Sequence, residues 1–394
     1  MNRMMQFDAV VIGGGPSGAT AATTLARVGR SVMLLDRAGR IKPCGGAIPP
    51  RAIRDFDIPD SQIVGRATCA RMIAPSDKIV DMPVGNDGFV GMVDREHFDE
   101  WLRARAALTG AERRSGTFEA VERDEDGTAI VAYRDNQSGD VMRVRAKAVI
   151  GADGARSAVA RGNLKNADRV PCVFAYHEVV KAPATGFDRD RCDIYYQGKF
   201  SPDFYAWVFP HGDTASVGLG SAQKGFALRP ATKALREATG LADAETIRVE
   251  GAPIPLKPLK RWDNGRDLVV CGDAAGVVAP SSGEGIYYAL ECGRIAATSV
   301  DAFLTSGNPA MLKTARKTFM RAHGRVFWIL GVMQYFWYSS DKRRERFVKM
   351  CADPDVQALT WDAYMNKQLT RKKPAAHARI FFKDMGHLLG LSKA

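Results

Sequence analysis

Phe7-Asp-Ala-Val-Val-Ile12 runs directly into Gly13-Gly-Gly15-Pro-Ser-Gly18, and the reading of this stretch decides the fold. The apolar, β-branched run predicts a strand, and Ala19 to Val28 predicts a helix stopped at Gly29. Between them each glycine has its own task. Gly13 permits the tight turn, Gly15 lets the backbone approach a pyrophosphate, and Gly18 lets the helix pack closely on the strand. The helix N-terminus offers amide hydrogens and positive potential to the same anion, with Ser17 in its first turn. A second strand, Ser31-Val-Met-Leu-Leu35, ends in Asp36, 18 residues beyond Gly18, where a carboxylate accepts hydrogen bonds from an adenosine ribose. The order strand, turn, helix, strand, acid specifies a dinucleotide-binding unit without choosing between NAD and FAD.

Three further segments make that choice. Asp94-Arg-Glu-His-Phe-Asp-Glu-Trp-Leu102 predicts a helix capped by Asp94, with Phe98, Trp101 and Leu102 on one face. Arg95 then stands in the first turn, where a cation is unfavourable unless an anion is near. Ala148-Val-Ile-Gly-Ala-Asp-Gly-Ala-Arg-Ser157 predicts a strand with Asp153 and Gly154 at the tip of the following turn. Leu268-Val-Val-Cys-Gly-Asp273 is another strand delivering an acid, here into a glycine-rich turn that leads through Gly276, Gly283 and Gly285 to a helix near Ile286.

In this order the segments resemble the FAD-containing family of aromatic hydroxylases, halogenases and geranylgeranyl reductases, which share the para-hydroxybenzoate hydroxylase fold. The resemblance spans roughly Phe7 to Ala297. It implies FAD contacts at Gly13, Gly15, Ser17 and Gly18, at Asp36 with Arg37, and at Cys44, Gly45 and Arg95. Asp153 and Gly154 are implied near the flavin and a transient NADPH, and Asp273, Gly283, Gly285 and Ile286 along the ribityl and pyrophosphate portion. No second GxGxxG for NADPH is present, as is usual for that family.

Markers within the family point to its reductase branch. Hydroxylases usually carry His after the Asp-Ala-Ala triplet, and here Gly276 stands there. Pro202-Asp-Phe-Tyr-Ala-Trp-Val-Phe-Pro210 is similar to the Pro-x-x-Tyr-x-Trp-x-Phe-Pro pattern of geranylgeranyl reductases. Alternation along a strand puts Tyr205, Trp207 and Phe209 on one face, a row suited to a methyl-branched polyene that offers only apolar surface. Lys42-Pro-Cys-Gly-Gly-Ala-Ile-Pro-Pro50 and Ser281-Ser-Gly-Glu-Gly-Ile-Tyr-Tyr288 resemble segments of the chlorophyll and bacteriochlorophyll branch. The implied reaction reduces three of four double bonds in the geranylgeranyl group of bacteriochlorophyll or of geranylgeranyl diphosphate, with FAD and NADPH. Cys44 is the candidate for proton supply or access at the flavin, and Tyr205 is the alternative donor. The rivals are a reductase of another polyprenyl lipid (ether lipid or menaquinone), a flavin monooxygenase, and a membrane-surface protein that holds prenyl pigments.

Composition sets the outer bounds. With 46% hydrophobic and 25% charged residues the chain is an ordinary globular one, and its 394 residues suffice for more than one unit. Seven cysteines without CxxC spacing argue against a zinc site or disulfide framework, so no metal is expected and the setting is read as cytoplasmic. Neither a signal nor a transit peptide is expected at the N-terminus. The net charge of +12 is concentrated late: residues 311–394 hold 17 Lys and Arg against 6 Asp and Glu. No nucleic-acid motif accompanies this charge, so no nucleic-acid partner is expected. Inside the basic region, Val326 to Tyr338 is uncharged and too short for a spanning helix, which needs about 20 residues. It is read either as a segment in the headgroup region of an anionic inner, photosynthetic membrane or as a buried helix lining a pocket. Contact with pigment-synthesis enzymes is a further expectation.

The expected architecture is α/β with an antiparallel part: a Rossmann-like FAD-binding βαβ domain of the para-hydroxybenzoate hydroxylase type in three pieces (1–72, 90–165, 262–304). Substrate-domain strands are expected at 73–89 and in an antiparallel sheet at 166–261, with a basic helical region at 305–394.

Overall fold

The computed structural model describes residues 4–38, 41–85, 88–168 and 170–367. Strand Gln6–Ile12 sits in the middle of the first sheet, parallel to Val32–Asp36 on one side and to Val141–Gly151 on the other. Glu112–Arg123 and Leu268–Val270 extend it, again in parallel. Such sheets are buried on both faces, so their strands lack alternation. Ala9, Val10 and Val11 are accordingly all fully buried. Ala129–Asp135 joins Glu112–Arg123 to Val141–Gly151 as an antiparallel meander. Helix Pro16–Arg27 packs against helices Arg95–Leu108 and Ile286–Ser306 beside this sheet. It begins at Pro16, earlier than the expected Ala19, because proline has helical φ built in and needs no partner for a missing N–H.

The second sheet has seven strands in the order Thr246–Pro255, Cys172–Lys181, Thr214–Ser221, Ala206–His211, Arg191–Tyr195, Cys69–Ile73, Ile79–Pro83. All neighbours are antiparallel except Arg191–Tyr195 with Cys69–Ile73. Its last two strands come from an early part of the chain, and the boundary expected at 72 falls inside the first of them. Period-two alternation divides its faces. Ala206 and Val208 join the core beneath helix Leu228–Ala238, whereas Tyr205, Trp207 and Phe209 turn to the opposite face. A small third sheet, Ala47–Ile48, Val90–Met92 and Gly65–Ala67, fixes the loop that contains Cys44.

Helices Lys313–Trp337, Asp341–Met350 and Pro354–Asn366 follow; of the region expected to be helical, residues 368–394 lie outside the described residues. The Val326 to Tyr338 stretch occupies the second half of the long helix and the residue after it. Phe327 and Trp337 are buried, while Trp328 (70% exposed), Val332 and Tyr335 (85%) face outward. Among the described residues no helix is long and apolar enough to cross a membrane.

Candidate active site

The glycine turn is built for a guest. Gly13 has φ of +106°, and a Cβ there would lie 2.3 Å from the Ala152 carbonyl oxygen; one on Gly18 would lie 1.8 Å from the Gly13 carbonyl oxygen. Gly15 differs, since a Cβ on it would meet nothing within 4 Å. That open space lies at the start of helix Pro16–Arg27, whose first turn has no side-chain cap and no acid. Ser17 is buried against Gly272. Asp36 closes the turn from the side, accepting from Gly14 N at 2.8 Å and Ala38 N at 2.9 Å, and Arg37 is exposed at the rim.

From Pro16 a cavity, partly open to solvent, runs between the two large sheets. Lys42, Pro43, Cys44, Gly45, Arg95 and Asp273 line it, as do Gly283, Gly285 and Ile286. Helix Ile286–Ser306 starts here and, like the first, has no side-chain cap. Two uncapped helix starts thus direct amide hydrogens and positive potential at one cavity, the provision a dinucleotide with its pyrophosphate requires. At the far wall stand Tyr205, Trp207 and Phe209, with ring centroids 6.0 and 6.2 Å apart in sequence along the row. The Pro-Cys-Gly-Gly loop lies on that row: a Cβ on Gly45 would be 3.0 Å from Phe209 and 3.9 Å from Trp207 Nε1. Cradle, loop and aromatic row, widely separated in the chain, therefore border one space.

The charged residues show how the site is held. Arg95 is 4% exposed and donates to both oxygens of Asp99, at 2.9 and 2.7 Å. Burial opposes its charge, but Asp99 and the Cys44 sulfur outweigh burial and keep the guanidinium protonated. The anion that its first-turn position calls for is thus a residue of the same helix. Asp273 pairs with Lys42. Asp153 accepts from Ser157 Oγ and Ala158 N at 2.5 and 2.6 Å, and burial raises its pKa despite these bonds. Gly154 beside it has φ of +88° and open space around its Cα. Cys44 is half-buried, its sulfur 3.4 Å from Gly46 N. Tyr205 is committed elsewhere: its hydroxyl donates to Ser282 O at 2.6 Å, and burial drives its pKa up. Gly276 has φ of +79°, and a Cβ would stand 2.3 Å from the Lys257 carbonyl oxygen, so the turn has no room for a histidine side chain.

Several residues of the site are not singled out by the sequence, although Phe204 and Glu284 lie within segments that are. Phe204 stacks on Tyr205 with centroids 4.3 Å apart, and His177 lines the cavity from a strand interior. Glu284, in the Ser-Gly-Glu-Gly loop, forms a buried ion pair with Lys367 at the end of the last described helix. Tyr364 lies 3.8 Å from the Lys367 ammonium by its ring centroid. Burial raises the Glu284 pKa and lowers that of Lys367, each against the pull of the other.

This fold, with a glycine cradle opening on an aromatic chamber, is that of flavin-dependent oxidoreductases of the para-hydroxybenzoate hydroxylase type. Residues 7–189 match the pyridine nucleotide-disulphide oxidoreductase family. Solved structures of similar fold include a geranylgeranyl bacteriochlorophyll reductase-like protein from Thermoplasma acidophilum, with a TM-score of 0.82 and 24% identity over 96% of this chain and 99% of that one. A flavin-dependent brominase gives 0.72 at 16% identity, covering 98% of this chain and 100% of that one. Geranylgeranyl diphosphate reductase of Rhodobacter capsulatus is 58% identical over 98% of both chains. The corresponding Synechocystis protein is 35% identical over 98% of both, and a digeranylgeranylglycerophospholipid reductase of Methanopyrus kandleri is 32% identical over 74% of this chain and 76% of its own. The chain belongs to the geranylgeranyl diphosphate reductase family.

Proposed function

We propose that this chain is an FAD-dependent reductase that uses NADPH to saturate three of the four double bonds of a geranylgeranyl group, carried on bacteriochlorophyll or on the free diphosphate. The observation that carries this reading is the single cavity joining two uncapped helix starts to the aromatic row, in a chain 58% identical to a relative named for geranylgeranyl diphosphate reduction. Gly13, Gly15, Ser17 and Gly18 would hold the pyrophosphate, and Asp36 with Arg37 the adenosine ribose. Arg95, Asp153, Gly154, Asp273, Gly283, Gly285 and Ile286 would border the rest of FAD, beneath Cys44 and Gly45. FAD, once reduced, supplies hydride.

The protein must do the remainder. An isolated trisubstituted alkene is not electrophilic, so a proton must reach one carbon as hydride reaches the other, and tertiary cationic character develops between them. Tyr205, Trp207 and Phe209 present π faces to that charge and keep water out. Cys44, on the loop that lies against Phe209 and Trp207, would hold the proton. Tyr205, with its hydroxyl bound to Ser282, steadies the glycine loop.

The long helix suggests where the greasy substrate arrives. Lys313, Lys317, Arg321 and Arg325, then Trp328, Val332 and Tyr335, recur at intervals of three or four and are all exposed. Cations followed by aromatics along one helical face suit the phosphate level and the acyl boundary of an anionic bilayer. We therefore place the enzyme on the cytoplasmic surface of the photosynthetic membrane, beside the enzymes that make its pigment substrate.

The test is anaerobic incubation of purified protein with FAD, NADPH and geranylgeranylated pigment or geranylgeranyl diphosphate, with products weighed by mass spectrometry. A gain of two hydrogens per reduced bond is expected, and turnover that requires oxygen would favour a monooxygenase. The Methanopyrus relative supports a second reading, reduction of an archaeal-type ether lipid, which the same assay separates when digeranylgeranylglycerophospholipid is added as a competing substrate.

A further inference from the structure

Strand register assembles a polar row that the chemistry above leaves without a task. His177, 2% exposed, stands opposite Glu250 on the neighbouring strand, with Nε2 2.8 Å from Glu250 Oε2. Its Nδ1 is 2.9 Å from Ser216 Oγ, and that oxygen also accepts from Trp207 Nε1 at 3.0 Å. Gly218 makes room for this arrangement, since a Cβ there would lie 2.3 Å from His177 Cβ and 2.6 Å from Trp207 Cζ2. Beyond Glu250, Arg248 Nε donates to Glu250 Oε1 at 2.8 Å and Arg248 Nη2 to Asp94 Oδ2 at 3.0 Å. A narrow polar chamber lies against this row and is lined by Ser216, Glu250, Arg248, Asp94 and Cys44.

Counting hydrogens gives the row its logic. When His177 is neutral, Trp207 N–H donates to Ser216, Ser216 O–H to Nδ1, and Nε2–H to Glu250. Every group is satisfied. When His177 is protonated, Nδ1–H donates to Ser216 Oγ, which already accepts from Trp207, so the serine hydroxyl hydrogen must turn away. The chamber shared with Cys44 is the open direction. Charging the imidazole thus places a hydroxyl proton at that chamber.

We propose that Glu250, His177 and Ser216 form the proton supply of the reaction, restoring the donor at Cys44 after each double bond is saturated; this rests on the reductase reading above. Each reduction breaks one π bond and forms two C–H bonds, one with hydride from the reduced cofactor and one with a proton. The donor gives its proton to carbon and takes the hydroxyl proton of Ser216. Ser216 is refilled from Nδ1–H, and neutral His177 regains its Nδ1 proton from Ser216 as that hydroxyl takes one from water in the chamber it lines. The groups that face His177 are Glu250 and Arg248 from one strand, Ser216 from another, and Trp207 and His211 from a third. Cys44, Asp94 and Arg95 lie across the chamber. Burial acts to raise the Glu250 pKa, but His177 and Arg248 outweigh it, so the carboxylate stays charged beneath the imidazole. These three residues act through one another and are positioning residues for the proton.

The test uses flavin-loaded enzyme reduced anaerobically with dithionite and then mixed with geranylgeranyl diphosphate, with flavin reoxidation followed in H2O and D2O across pH. His177→Asn is expected to slow reoxidation about 100-fold with substrate affinity nearly unchanged, the span of a lost acid–base group. Ser216→Ala, which removes one hydroxyl and leaves the strand pairing unchanged, is expected to slow it similarly and enlarge the solvent isotope effect. Nitrogen-15 and proton spectra of histidine in the substrate-free protein supply an independent reading: Glu250→Gln should move the Nε2–H proton resonance of His177 upfield, because the acceptor loses its charge. Wild-type rates and isotope effects in both His177→Asn and Ser216→Ala, or an unmoved Nε2–H resonance in Glu250→Gln, overturn the relay alone. A wild-type protein that no geranylgeranyl substrate reoxidises overturns the reductase reading and the relay with it.

Discussion

The glycine cradle and the aromatic chamber border the same cavity but are made in opposite ways. The cradle is backbone, gathered from a few consecutive residues, and its working parts are side chains that are missing. The chamber is side chain, gathered from strands far apart in the chain, and its working parts are contacts that register alone creates. Adding one methyl group should therefore ruin the first, whereas deleting one partner should ruin the second.

In the cradle the expected effect is on cofactor retention. Overpacking a close-packed interior costs about 1–3 kcal/mol. In Gly18→Ala the new carbon meets backbone at 1.8 Å, so FAD affinity, read from flavin retained on the purified protein, should fall about 100-fold. Gly15→Ala sharpens the point. Its Cβ enters open space, so the melting temperature of the flavin-free protein should not move while FAD is still lost. If both variants keep flavin, the cradle is not one.

On the chamber side, Lys367→Met leaves Glu284 buried without its partner. Removal of one member of such a pair costs about 3–5 kcal/mol, measurable by urea unfolding, and Glu284→Gln in the same chain should recover much of it. The sign with pH follows from the raised pKa of Glu284, since the fold favours its protonated form. The penalty should be small below the ordinary value of 4.5 and grow as pH rises through the folded value.

A smaller effect concerns the outer face of the long helix. Burying an exposed aromatic is worth roughly 1.5–3 kcal/mol. Replacing Trp328 alone by serine should weaken sedimentation with anionic vesicles by about tenfold and leave unfolding stability alone. The smallest is at Asp94. Burial would raise its pKa, but the Glu96 N–H and Arg248 outweigh it and hold the pKa low, so its contribution to stability is present above 3.8 and lost as pH falls through the folded value. Asp94→Asn keeps the helix cap and should flatten the acid side of the melting curve.

The same contrast explains what was legible. Gly13 to Gly18 and Asp36 could be read because their spacing is local, and the strands and helix they imply are present. The alternation of Tyr205, Trp207 and Phe209 could be read for the same reason, since a strand turns every second residue to one face. The resemblance to pigment-branch reductases supplied the Cys44 loop, which the fold brings onto that row. His177 could not be found this way. Its partners are 39 and 73 residues away, and only the pairing of three strands brings them to it. Lys367 is 83 residues from Glu284, in a stretch whose composition speaks of surface charge rather than burial. Arg95 was legible as a cation in need of an anion. That Asp99, one turn on, is the anion was a matter of rotamers and not of pattern.

The early strands Cys69–Ile73 and Ile79–Pro83 complete a sheet whose other members begin only at Cys172. Threading of this kind makes the two halves inseparable as folding units, and its many non-local pairings favour slow folding. A chimera joined to a relative at one splice point would give that sheet edge strands from a foreign parent. Recombination that transfers substrate preference must therefore exchange both stretches together.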